Sequence, residues 1–204
     1  MNRDLLIIMA RYPTLGRVKT RLARDIGKAG ALRVYRQLLG HHLHEFRRAP
    51  FDVEWRYTPA RAPFRRLARN AKPQPDGDLG DRMCGIFEES FASGYRRVVM
   101  IGTDAPEMNR GTVQSALRML RNSAAVFQPT HDGGYALIGL RENVDVFSGI
   151  AWSTDQVMSQ TRSRLRAQRI AYAELPPTFD VDCAADLPRL ATFLERGRVE
   201  RPRS

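Results

Sequence analysis

Short apolar runs alternate with longer polar-studded segments along almost the whole chain, and this alternation restricts the fold more than any other feature. Leu5 to Met9 form a continuous apolar run with no helical period, the pattern of a strand buried on both faces. Residues 22 to 48 then carry a helical pattern that a glycine, Gly27 or Gly30, can break. Phe51 to Tyr57 alternate as a second strand, and Pro59 to Asn70 suit a short basic helix. After the turn-rich KPQPDGDLGD segment come a helix from Arg82 to Ser93 and a strand from Arg97 to Ile101. A helix over Asn109 to Asn122 follows, then strands at Ala124 to Gln128 and Tyr135 to Leu140. The chain closes with a helix over Ser153 to Gln168, a strand at Ile170 to Leu175 and a helix from Ala184 to about Glu195. Strand and helix in alternation predict an α/β, single-domain Rossmann-like fold with a mostly parallel, doubly wound sheet. One domain over residues 1–196 and a disordered tail over 197–204 are the expected organisation, with no repeat and no linker.

Composition narrows the class. At 204 residues and 43% hydrophobic, the chain can bury one sizeable core. No run approaches the ~18 apolar residues of a membrane helix. The start MNRDLLIIMARYP has too short an apolar stretch for a secretory leader. The two cysteines, Cys84 and Cys183, suggest neither a disulfide framework nor a four-ligand zinc site. A cytoplasmic protein is expected. The net charge of +11 suits nucleic acid or an anionic small molecule. Arginine, however, supplies 30 of the 33 cationic residues and is spread from Arg3 to Arg203, so a solvated basic surface is the plainer reading. Among so few lysines, Lys19 in the first loop is the unexpected one.

In open parallel sheets ligands bind beyond the carboxyl ends of the strands. The loop YPTLGRVKTRLA leaves the first strand there, and GTDAPE leaves the RVVMI strand on the same rim. Phosphates are bound by glycine-loop amides and by Lys or Arg side chains, and Arg17, Lys19 and Arg21 at alternate positions can point one way. Neither GxxxxGK[ST] nor GxGxxG is present. Asp104, two residues after Gly102, is either a hard ligand for Mg²⁺ or Mn²⁺ or a helix cap. In HDGGYALIGL, Asp132 precedes two glycines, which suits either close approach to a ligand or a hairpin turn. In TFDVDCAADL, Asp180 and Asp182 alternate and can share one side of an extended segment, unless Asp182 caps the last helix.

The ordered set PTLGRVKTRLA, GDLGDRM, GTDAPE, PTHDGGYALIGL, IAWSTDQV and FDVDCAADL resembles the bacterial selenodomain-associated transferase family. That family belongs to the nucleotide-diphospho-sugar transferase superfamily, of glycosyltransferase-A-like fold, alongside the molybdenum-cofactor and phospholactate guanylyltransferases. The resemblance implies that Gly16, Arg17, Lys19 and Arg21 cradle nucleotide phosphates, and that Asp104 and Asp182 hold the metal, Mg²⁺ or Mn²⁺. It places Asp132, Gly133 and Gly134 on the acceptor side and Gln74, Asp78, Gly80 and Arg82 near the nucleoside. Trp152, Ser153 and Thr154 match a W-S-T element that is either an acceptor site or a helix start with a core aromatic. Cys183 and Ala184 replace the Thr-Pro of the family's last signature.

Two reactions fit such a protein, each using a nucleotide or nucleotide sugar and a small acceptor. In nucleotidyl transfer the acceptor attacks the α-phosphorus of a nucleoside triphosphate, with Lys19 and Arg21 offsetting the charge on the leaving pyrophosphate. In glycosyl transfer an acceptor hydroxyl attacks the sugar of a nucleotide sugar, with Asp132 or Glu107 as base. The cationic loop favours the first. A nucleic-acid-binding module is the alternative of another class, motivated by the charge but lacking a recognisable motif.

Overall fold

The computed structural model describes residues 3–199, and they build one seven-stranded sheet covered on both faces. The strands are β1 (Asp4–Arg11), β2 (Asp52–Thr58), β3 (Ala71–Pro73), β4 (Arg97–Ile101), β5 (Ala125–Pro129), β6 (Tyr135–Leu140) and β7 (Tyr172–Glu174). Their order is β3-β2-β1-β4-β6-β5-β7, with β6 antiparallel to both neighbours and every other pairing parallel. The helices are α1 (Leu22–Glu45), α2 (Leu79–Ala92), α3 (Arg110–Met119), α4 (Val157–Ala167) and α5 (Leu187–Val199).

The pleat of β1 explains the layering. Leu6 and Ile8 face α1 and α3, packing with Leu32, Tyr35, Leu39, Val113 and Leu117. Leu5 and Ile7 face the other way, onto Met83, Ile86 and Phe87 of α2 and Met158 and Leu165 of α4. A strand buried on both faces must be apolar throughout, which is why LLIIM has no alternation. A third cluster joins Leu38 of α1 to Phe179, Val181 and Leu190. It clamps the segment after β7 against the helix layer.

Three local expectations differ from the structure, and one strand is not expected from the sequence at all. Pro59 to Asn70 form no helix, only a 3₁₀ turn at Phe64–Arg66. Pro63 denies an N–H at its start, and Phe64, fully buried against Trp55 and Tyr57, anchors the segment as it crosses back to begin β3. β3 itself is three residues with one buried side chain, too short to leave a pattern. The helix expected from Ser153 starts only at Val157, because Ser153 takes a left-handed φ of 64°. Finally, α5 continues to Val199, so residues 197–199 of the expected tail are helical, while 200–204 lie outside the described residues. Among the described residues no helix is long and apolar enough to cross a membrane.

Candidate functional site

The first loop turns twice before α1 begins. Gly16 adopts φ 71°, and a Cβ there would lie 3.3 Å from the aliphatic stem of Lys28. Val18 is buried and pins the loop to the core, and Lys19 then takes φ 47°, a left-handed conformation that a non-glycine residue adopts at a cost of about 1–3 kcal/mol. The Lys19 carbonyl accepts from Ala23 N at 2.9 Å. Backbone strain of this kind is retained where a side chain must point one way. Here it aims the lysine back across the strand ends.

The Lys19 ammonium meets two carboxylates there. Its Nζ lies 2.6 Å from Asp104 Oδ1 and 3.1 Å from Asp182 Oδ1, and its side chain is only 4% exposed. The carboxylates remain 46% and 39% exposed, and Arg21 Nη1 reaches Asp182 Oδ2 at 3.5 Å from the solvent side. Burial pushes the lysine pKa down, but Asp104 and Asp182 outweigh it and the net displacement is upward. The ammonium stays charged.

The acidic segment owes its placement to alternation. Phe179 and Val181 point into the third cluster, which leaves Asp180 and Asp182 on the opposite side. Val181 N donates to Asp104 O at 3.0 Å, tying the two acidic loops together. Thr178 N donates to Pro129 O, and Thr178 Oγ1 to Glu107 Oε2 at 3.0 Å. Asp182 N and Cys183 N both donate to Asp186 Oδ2, so Asp186, not Asp182, closes the turn ahead of α5. Asp180 is mostly buried. Burial first, and then the charge of Asp104, raise its carboxyl to about 7, with Asp132 and Asp182 adding and Lys19 opposing.

Tyr35 fixes the spacing of the two rim loops. Its hydroxyl donates to Arg11 O and accepts from Arg11 N, both at 2.8 Å, and accepts from Thr103 Oγ1 at 3.5 Å. One buried phenol on α1 thus touches the end of β1 and the residue before Asp104.

Of the residues singled out in the sequence, Lys19, Arg21, Asp104 and Asp182 converge. Arg17 is exposed on the same loop. Asp132 sits in the β5–β6 turn, where its Oδ1 accepts from Thr130 Oγ1 and Gly134 N. The hairpin reading of that turn is the structural one, with β5 and β6 antiparallel. Gly133 has φ 89°, and a Cβ there would fall 2.1 Å from Asp155 O. The remaining residues all have contacts within the fold. Asp78 caps α2 in a reciprocal box with Asp81. The Gln74 amide donates to Arg56 O and Ala10 O, and Arg82 Nε donates to Gly77 O. Gly80 lies against Trp152, whose partly buried ring packs with Tyr135 and Phe147. Thr154 Oγ1 donates to Ala151 O and accepts from Gln156 N, holding the turn before α4. Sequence reasoning saw the alternation of Asp180 with Asp182 but gave Asp180 no role, and it passed over Tyr35. The alternation was the available signal for the first; nothing local marks the second.

The donor set can be tested against a divalent ion. Among the described residues no three His, Cys, Asp or Glu side chains gather closely enough to hold a metal alone. Asp104 and Asp182 nevertheless supply hard oxygens around a point where the protein already holds a cation, the Lys19 ammonium. Mg²⁺ and Mn²⁺ commonly use one or two carboxylates and take remaining ligands from water and phosphate. The residues fit such an ion.

Comparison with known proteins places the chain. The family model described as "Uncharacterized protein conserved in bacteria (DUF2064)" matches residues 50–154, just over half of the sequence. The chain belongs to this family. A candidate nucleotide-diphospho-sugar transferase from Desulfovibrio desulfuricans is 31% identical, with a TM-score of 0.88 over 98% of this chain and 96% of that one. CMP:2-keto-3-deoxy-manno-octonic acid synthetase complexed with CTP is 14% identical, with a TM-score of 0.62 over 96% of this chain and 99% of that one. A Mycobacterium tuberculosis protein solved as a manganese complex is 16% identical, with a TM-score of 0.53 over 92% and 97%. The last two share the fold alone. None of the curated proteins matches the sequence. This DUF2064 member thus has the fold of the nucleotide-diphospho-sugar transferase superfamily, a superfamily of transferase enzymes.

Proposed function

We propose that the chain is a divalent-metal-dependent nucleotidyltransferase that takes a nucleoside triphosphate at the strand rim and moves its nucleotidyl group to a small acceptor. The observation that carries this reading is the Lys19 ammonium held at 2.6 Å and 3.1 Å between Asp104 and Asp182, with Arg21 beside them. A cationic loop and two carboxylate loops on one rim match the needs of a metal-bound polyphosphate. Asp104 and Asp182 would hold Mg²⁺ or Mn²⁺, which when bound neutralises phosphate charge and polarises the α-phosphorus. Arg17, Arg21 and Lys19 bind the β- and γ-phosphates and offset the charge of the departing pyrophosphate. The acceptor oxygen forms the new bond to phosphorus as the bond to pyrophosphate breaks, and its proton passes to solvent or to a rim carboxylate. Within the superfamily we assign the chain to the selenodomain-associated branch, on the six motifs in order. Manganese in one fold relative and CTP in another support the metal and nucleotide assignments.

Glycosyl transfer is the second reading, favoured by the description of the 31% identical relative as a candidate nucleotide-diphospho-sugar transferase. Calorimetric titration of a panel of nucleoside triphosphates and nucleotide sugars, with Mg²⁺ or Mn²⁺, separates the two. One triphosphate should bind in a metal-dependent way and lose at least about tenfold in affinity in Asp104→Ala. Preference for a nucleotide sugar moves the reading to glycosyl transfer. Equal binding by wild type and Asp104→Ala removes the site.

A further inference from the structure

The backbones that carry the rim carboxylates are anchored within the fold. Asp104 is tied through its carbonyl to Val181 N, and Asp182 through its N–H to Asp186 Oδ2. The space between their Oδ1 atoms is filled by Lys19 Nζ, on a side chain almost wholly buried, and Arg21 stands on the outer side of Asp182. A divalent ion on the same oxygens would face that ammonium across a gap too short for water to screen. Two carboxylates that already converge on one ammonium offer the same oxygens to one cation or the other.

We propose that Lys19 makes this cation site selective for a metal delivered on a polyphosphate: in the free protein its ammonium fills the position between Asp104 and Asp182, and only a phosphate chain draws it out. The proposal rests on the nucleotidyltransferase reading of the same site. The lysine backbone is held by Val18 and by the Ala23 N–H donated to its carbonyl, so the motion belongs to the side chain. Its four-carbon stem lets the ammonium exchange two carboxylate partners for phosphate oxygens without leaving the rim. A phosphate chain carries enough negative charge to satisfy both the ammonium and the incoming ion. A bare metal brings nothing for the displaced ammonium, and a bare nucleotide adds negative charge beside Asp104 and Asp182. Metal and nucleotide therefore assist one another, each binding poorly alone.

The test measures Mn²⁺ binding directly, by water-proton relaxation, on the intact protein without nucleotide. Wild type, Lys19→Met and Lys19→Gln are compared, with Lys19→Met/Asp182→Asn as the control that locates the ion and circular dichroism to confirm folding. Removing the ammonium should tighten Mn²⁺ binding at least about tenfold, and the double variant should lose the gain. Lys19→Gln, neutral but still polar and one atom shorter, carries the same comparison if the methionine variant does not fold. Wild type should gain Mn²⁺ affinity when ATP, CTP, GTP or UTP, tried in turn, includes its nucleotide. The failures of the two readings are distinguishable. If a triphosphate raises wild-type Mn²⁺ affinity but neither Lys19 variant binds bare Mn²⁺ more tightly, the selectivity proposal is overturned and the nucleotide site stands. If the variants tighten but no triphosphate acts on wild type, Lys19 still occupies the cation position, but the nucleotidyltransferase reading falls and takes the polyphosphate selectivity with it.

Discussion

A methyl group on Gly80 would sit 2.5 Å from Trp152 Nε1, so the tryptophan packs directly onto the first turn of α2. Trp152 lies edge-on to Tyr135 and tilted against Phe147, and its partly buried ring packs against the second core cluster. Gly80→Ala should destabilise the protein by about 1–3 kcal/mol, because the indole has no free direction to move. Trp152→Ala should cost about 2–4 kcal/mol by leaving a cavity. Urea unfolding measures both. A Trp152→Phe variant that keeps its stability but loses acceptor affinity would return the residue to the binding site. The sequence could not have settled this, since W-S-T beside an acidic turn reads the same for a core ring and for an acceptor platform. The deciding partner is 72 positions away. Lys19 was the opposite case: rarity, a cationic neighbourhood and its place after an apolar strand all lie within one short stretch.

At the scale of elements, α1 shows what periodicity conveys and what it hides. Its break falls at Gly27, where φ 75° and ψ 160° define a conformation that residues with a Cβ avoid. A glycine inside a helical pattern signals that possibility. The buried polar group further along does not announce itself. His42 is wholly enclosed, its Nδ1 bonded to Leu38 O at 2.9 Å and its Nε2 without a partner among the described residues. Burial first lowers its pKa to about 4, with the Leu38 carbonyl opposing and His41 adding to the depression. The folded state therefore keeps His42 neutral, whereas the unfolded chain takes up a proton below about pH 6.5. Its contribution is fully present above that pH and is lost as the pH falls toward 4. The stability difference between wild type and His42→Leu should move against wild type by about 2 kcal/mol between pH 7.5 and pH 5. Taking that difference cancels Asp180, whose raised carboxyl pKa has the opposite sign and costs stability as pH rises from about 4 to 7. A difference that stays constant with pH would mean the imidazole takes up its proton in the fold as readily as in the unfolded chain. The misread segment 59–70 marks the other limit of pattern reading, because one buried Phe64 and a proline outweigh an otherwise helical composition.

For the molecule as a whole, the site lies where the sheet reverses its winding. β2 and β3 lie to one side of β1, and β4 to the other, so the loops after β1 and β4 open onto the same crevice. Alternation of strands and helices made a parallel sheet legible, since each buried strand is a local apolar run. The strand order and the insertion of antiparallel β6 between β4 and β5 were not, because pairing joins residues far apart and leaves no local trace. The net charge of +11 belongs to this scale too, and it separates the remaining classes of function. Arg61, Arg65, Arg66 and Arg69 are exposed along the segment that leads from β2 to β3. Such a surface should bind duplex DNA weakly and without sequence preference, losing affinity by orders of magnitude between about 50 mM and 200 mM salt as counterions are no longer released to advantage. Replacing these four arginines by serine should weaken that binding further and leave the metal-dependent triphosphate titration unchanged, because the Lys19 cluster draws on other loops. Fluorescence anisotropy with a labelled duplex, run beside the calorimetric titration on the same variant, measures both. Metal-independent DNA binding that survives 200 mM salt and displaces the triphosphate would instead make the rim a nucleic-acid site, with the charge as its purpose rather than its background.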